Sequence, residues 1–223
     1  MTWIRRGMGP ALMLALGLIA LLGEARAGDP RSILRDGEHL TFEVTWMGFR
    51  AGTATLESRG LSSLDGQPAY HLVTTARSSP FISRFYPVDD RSESYLAADP
   101  FRSLWFGKHL REGRYRHDSQ TVFDHAGGQV LFRYFDFSRV PREITSLAEA
   151  ERYGEYVEQR FPLERHALDE LAVLYYMRTL PLQPGQVYRA HVFASRKSYD
   201  LEVRVLKREV LDTAIGRRDT LVV

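Results

Sequence analysis

The stretch Asp169-Glu170-Leu171-Ala172-Val173-Leu174-Tyr175-Tyr176-Met177-Arg178-Thr179-Leu180-Pro181-Leu182 decides the fold. Asp169 is a good N-cap and Pro181 a stop, so the pattern predicts a helix over Glu170–Leu180. Leu171, Ala172, Val173, Leu174, Tyr175, Tyr176, Met177 and Leu180 place apolar groups nearly all round it. A helix of that kind is buried on several sides rather than laid on a surface. It needs a concave receptor, and the rest of the chain is written in strands.

Upstream, Leu40, Phe42, Val44 and Trp46 alternate with Thr41, Glu43 and Thr45, the period of a strand with one buried face. Met47 to Gly52 reads as a turn, and Ala54 and Leu56 alternate with Thr53, Thr55 and Glu57 after it. Asp65-Gly66 marks a turn in a loop over 61–67. Further strands are expected at 70–78, 92–96, 103–111, 119–125, 129–134, 187–194, 199–206 and 220–223. Pro80 to Tyr86 has helical spacing and Pro87 ends it. Residues 135–162 read as irregular, with a short helix near 147–153. Strands joined by short turns give an antiparallel sheet. The fold expected is therefore mostly β: a strongly curved antiparallel sheet, a half-barrel, around one enclosed α-helix.

The first residues carry an address. Arg5 and Arg6 precede an apolar run from Ala11 to Leu22, Gly23 breaks it, and Ala25-Arg26-Ala27 fits a leader-peptidase site. Residues 1–27 are expected to be a signal peptide cleaved between Ala27 and Gly28, leaving 28–223 as a single β-rich domain in the periplasm. The run is short for a membrane span, so membrane contact is expected only through the leader before cleavage. No cysteine follows it, which excludes a lipid-anchored lipoprotein, disulfides and thiolate metal sites. The leader takes Arg5, Arg6, Arg26 and Glu24 with it. The remainder then has equal numbers of acidic and basic side chains, giving no electrostatic case for nucleic acid. The ending Leu221-Val222-Val223 is strand-like, without turn or tail, and predicts further strands in a longer natural chain.

No motif carries a recognisable chemistry. His39, His71, His109, His117, His125, His166 and His191 show no close pair of the kind zinc needs. His117-Asp118-Ser119 holds the residue types of a catalytic triad but adjacent in sequence, whereas a triad converges from separate elements. Asp89-Asp90-Arg91-Ser92-Glu93 reads as a solvated turn with Arg91 neutralising its neighbours. There is no phosphate-binding glycine loop. No catalytic residue, cofactor or metal is expected. The aromatic residues are the suggestive set: Trp46, Phe81, Tyr86, Trp105, Tyr175 and Tyr176, with Phe49, Phe85 and Phe106, either line a pocket for an apolar ligand or pack an ordinary core.

The order of Leu40-Thr41-Phe42-Glu43-Val44 with Ala51-Gly52, then Tyr86-Pro87-Val88-Asp89-Asp90-Arg91, then Asp169 to Leu182 with Pro184-Gly185, and Arg208-Glu209-Val210 resembles the bacterial domain of unknown function 3108 family over most of residues 36–223. The resemblance implies an exported envelope protein. It also implies a half-barrel similar to the lipoprotein-carrier (LolA/LolB-like) folds, and it supplies no catalytic residues. The function expected is non-enzymatic binding or carriage of a hydrophobic ligand, a lipid or an envelope component. The alternative is a structural or interaction module with a solid core, docking an envelope protein partner.

Overall fold

A computed structural model describes residues 20–21, 34, 37–138, 152, 155–213 and 215–223. The chain is mostly β. Eight strands, β2 (Glu38–Trp46), β3 (Phe49–Leu64), β4 (Gln67–Ser78), β5 (Asp89–Ala97), β6 (Ser103–Glu112), β7 (Tyr115–Asp124), β8 (Gln129–Asp136) and β9 (Glu155–Pro162), pair in sequence order as one antiparallel meander. Its outer strands, β2 and β9, do not pair with each other, so the sheet is open and no closed barrel forms. Two hairpins follow: β10 (Val187–Ala194) with β11 (Lys197–Arg204), and β12 (Lys207–Thr213) with β13 (Gly216–Val222). The two-residue β1 (Ala20–Leu21) pairs with β13, while the expected cleavage site at Ala27 and Gly28 lies outside the described residues.

The turns explain the registers. Met47-Gly48, Asp65-Gly66 and Ser195-Arg196 each have positive φ at both residues, the signature of the tight turn that matches strand twist. Asp65-Gly66 thus closes a hairpin directly, and the loop expected over 61–67 is strand to within one residue on either side of that turn. Three strands were not foreseen: β1, in the run read as the leader's apolar stretch, β9, in a stretch read as irregular, and β12, whose residues are mostly charged. Each is fixed by the ladder of its neighbour. The helix expected near 147–153 falls outside the described residues, apart from Arg152.

The first helix, α1 (Pro80–Ser83), is one turn at the corner between β4 and β5, capped by Ser79. The second, α2 (Ala172–Arg178), is shorter than the expected Glu170–Leu180. Its first turn is given over to Asp169, whose Oδ1 accepts from the Leu171 and Ala172 N–H groups at 2.9 and 2.8 Å. At the far end the N–H and hydroxyl of Thr179 both donate to the Tyr176 carbonyl, and Pro181 follows. Ala172, Val173, Tyr175 and Met177 are buried and Leu174 and Tyr176 half-buried, which agrees with an apolar surface on most sides.

One core joins these layers. Tyr70, Leu72, Leu96, Phe106, Phe123 and Val130 of the sheet pack with Leu171, Ala172 and Tyr175, and with Val192, Phe193, Val205 and Leu221 of the hairpins. A parallel bridge from Leu168 to Val192 ties the segment before α2 to β10. The sheet residues of this core lie in the half where β3–β4, β5–β6 and β7–β8 turn.

Candidate functional site

The helix is held at its start by a buried carboxylate. Asp169 is fully buried and its Oδ2 accepts from the hydroxyls of Ser94 on β5 (2.7 Å) and Ser103 on β6 (2.5 Å). The Ser103 oxygen accepts in turn from the Asp169 N–H at 2.7 Å. Burial pushes the carboxyl upward, and its hydroxyl and backbone donors pull it back. Lys108 and Glu170 form an ion pair beside it, and Arg178 pairs with Glu38 through two bonds of 2.7 and 2.6 Å.

The Tyr176 face of α2, with the β5–β6 connection, forms a cleft. It measures about 800 Å³ and is lined by Phe101, Leu168, Tyr176 and Ala190 below, with Arg165, His166, Arg189 and His191 at the rim. Tyr176 meets Phe101 edge to face at 6.2 Å. Arg189 is paired with Glu202 and His191 with Asp200, while Arg165 has no carboxylate partner among the described residues. The arrangement is apolar inside and polar outside, with room for a single small ligand. A second, smaller furrow of about 470 Å³ runs on the other side of α2 between Leu174, Met177, Leu201 and Val203.

Of the six aromatic residues expected at a pocket, only Tyr176 lines this cleft. Tyr175, about 100° around the helix, is in the core, and its hydroxyl has no partner. Burial raises that phenol. Trp105 lies on the opposite face of the sheet from Phe106, edge-on to Tyr95 at 6.0 Å. Its ring crosses Gly107, where a Cβ would come within 2.2 Å of it. Trp46, Phe81 and Tyr86 are exposed at the far end of the sheet, as are Phe49 and Phe85.

The polar candidates separate in the same way. His117 and Ser119 share one face of β7 and Asp118 points to the other, where it binds His109 and Arg111. The acidic run 89–93 is spread over several partners: Asp89 with Arg77, Arg91 with Glu93, and Glu93 with His71. Asp90 does something the run alone does not show. It accepts from the Arg111 N–H at 2.8 Å and stands against Glu112, which strand pairing brings from 22 residues away. Burial, then the neighbouring Asp90, push the Glu112 carboxyl up to about 7. Nearby, burial pushes the His117 imidazole down to about 4; Tyr115 bonds its Nε2 and its Nδ1 has no partner. No sequence spacing could have flagged Glu112 or His117, because both depend on the β5–β6 and β6–β7 registers. Among the described residues no group of three or more metal-ligating side chains converges, and no helix is long and apolar enough to cross a membrane.

No curated protein and no solved structure matches the chain. A family model described as "Protein of unknown function (DUF3108)" matches residues 41–223, from the first strand of the meander to the last residue, so the chain belongs to the domain of unknown function 3108 family.

Proposed function

We propose that the protein is an exported, non-enzymatic binder or carrier of a hydrophobic ligand, working in the periplasm after cleavage between Ala27 and Gly28. The observation that supports this is the cleft beside α2, whose volume of about 800 Å³ suits a small apolar molecule or one acyl chain. In this reading the eight-stranded sheet is a half-barrel with α2 enclosed, as in the LolA/LolB-like carriers, and the cleft is its mouth. Phe101 and Tyr176 grip the apolar part, and the polar rim leaves the other end wet. Thermal melts with and without a long-chain fatty acid test it. Wild-type protein gains stability on adding the fatty acid, as a ligand that binds only the folded state requires, and Tyr176→Ala loses that gain while still folding. An equal gain in both variants, or none in either, contradicts the reading. The export half has its own test: N-terminal sequencing of periplasmic protein reads Gly28-Asp29-Pro30, and recovery of residue 1 in the membrane fraction overturns it.

A further inference from the structure

The aromatic residues that miss the cleft gather elsewhere. In a meander, alternate connections lie at the same end of the sheet. The β2–β3 turn, the α1 corner between β4 and β5, and the β6–β7 turn therefore share one end. The first two are tied together by the Ser79 N–H donating to the Ala51 carbonyl at 2.7 Å, and Tyr86 rests on Gly113 of the third. Trp46, Met47, Phe49, Phe81 and Phe85 are between 61% and 78% exposed there, and Tyr86 is 40% exposed. Single exposed apolar residues are normal, but six on adjoining tips are a patch.

Among the described residues the carboxylates around it are already engaged, Asp136 by the Ser138 N–H at 2.8 Å. Glu43 is paired with Arg50 and Asp89 with Arg77, while the Asp90 carboxylate takes the Arg111 N–H. Arg84 and Arg114 have no carboxylate partner among the described residues, nor has Arg196 at the β10–β11 turn. Arg196 lies close enough to act on the Tyr115 and Tyr134 phenols of this end, which burial raises and on which Asp136 acts in the opposite sense to Arg196. Unpaired arginines beside Trp, Tyr and Phe are the composition of surfaces that sit in a lipid headgroup layer. A protein interface of this size would be expected to answer the arginines with carboxylates and to deplete charge at its centre.

We propose that this end of the sheet is a membrane-docking surface whose occupant is an anionic phospholipid bilayer. The apolar tips enter the headgroup boundary, and Arg84, Arg114 and Arg196 meet the lipid phosphates. Contact with the membrane then outlasts the leader. The surface is separate from the cleft and stands whether or not the cleft holds a ligand.

Co-sedimentation of the full chain with phosphatidylglycerol-containing vesicles tests this, because the leader contributes equally to every variant. Trp46→Ser with Phe85→Ser lowers vesicle partition by about tenfold or more, and Arg84→Glu with Arg114→Glu does so for anionic vesicles but not for pure phosphatidylcholine. In about 1 M salt, where the Debye length is about 3 Å, the second difference disappears. Leu61→Ser, equally exposed at 60% but at the opposite end, changes nothing. If a patch variant fails to fold, the wild-type tryptophan emission still decides: brominated acyl chains quench a component that Trp46→Phe removes. Partition unaffected by the patch variants, or no quenching of Trp46, overturns the proposal. So does concentration-dependent self-association that the same variants relieve without a change in vesicle binding, which would make the patch a protein interface.

Discussion

At the end of the sheet where β5 turns into β6, the buried carboxylate at the start of α2 is fully answered. Asp169 joins two strands to the helix through Ser94 and Ser103, and the core residues of five strands close around it. At the end where β4 turns into β5, large apolar side chains are exposed, and Arg84 and Arg114 have no carboxylate partner among the described residues. The face beneath α2 shows the same gradient. Leu72, Leu96 and Val130 are fully buried, whereas Phe42, Val44 and Leu110 on the same face toward the other end are only half-buried. Stability and contact with the outside are thus divided along the strands. Substitutions near α2 should cost folding free energy. Substitutions at the aromatic tips should cost little of it and still change what the protein touches.

The largest loss is expected at the Asp169 node. Asp169→Ala strands two hydroxyls and two helix N–H groups in a dry site and should cost about 3–5 kcal/mol. Asp169→Asn, which keeps an acceptor, should cost less. Urea unfolding measures both, and a loss under about 1 kcal/mol would show that the node does not anchor the helix. Leu171→Ala, a core truncation, should cost about 2–5 kcal/mol, and Tyr175→Ala about 3–5 kcal/mol. Tyr176→Ala should fall well below Tyr175→Ala, because its ring already faces the cleft.

The two buried titratable groups between the ends respond to pH in opposite senses. Glu112 holds its proton in the folded state up to about pH 7. Its contribution is therefore full below the ordinary glutamate value and is lost as pH rises toward 7. His117 resists its proton down to about pH 4. Its contribution is full above the ordinary histidine value and is lost as pH falls toward 4. Each is worth on the order of 3 kcal/mol across its window. Relative to wild type, Glu112→Gln should remove a component of stability that falls with pH, and His117→Gln one that rises. Stability profiles of the two variants between pH 4 and about 7.5 that differ from wild type in the same direction would contradict these assignments. The smallest effect is expected at the tips: Trp46→Ser and Phe85→Ser should stay within about 0.5 kcal/mol of wild type, the range of substitutions on open surface.

The sequence shows most of the strands because alternation and turn residues are local signals. Leu40 to Trp46, Val187 to Ala194 and the Asp65-Gly66 turn are read directly from it. The antiparallel order follows from the short connections. Strands β9 and β12 escaped because their pattern is set by partners, with too many charged residues to show an apolar face. The helix was legible in place, but it is shorter than expected at both ends: its start is given over to the side-chain bonds of Asp169, and Thr179 caps it before Leu180. The site was less legible. Tyr175 and Tyr176 stand about 100° apart around α2, and which of them borders a cleft depends on Phe101 and Ala190, outside the helix. The other aromatics alternate or cluster as core and surface residues both do, so nothing local tells Phe106, which is buried, from Phe85, which is not.

A carrier requires the cleft beside α2 to be a binding site. Native mass spectrometry of the purified protein, followed by organic extraction, addresses that most directly. One apolar molecule per chain is expected, displaced by the same lipid added in solution and reduced in Tyr176→Ala. A clean apo mass in wild type, with no lipid retained on addition, would contradict the account and leave a solid-core docking module in its place.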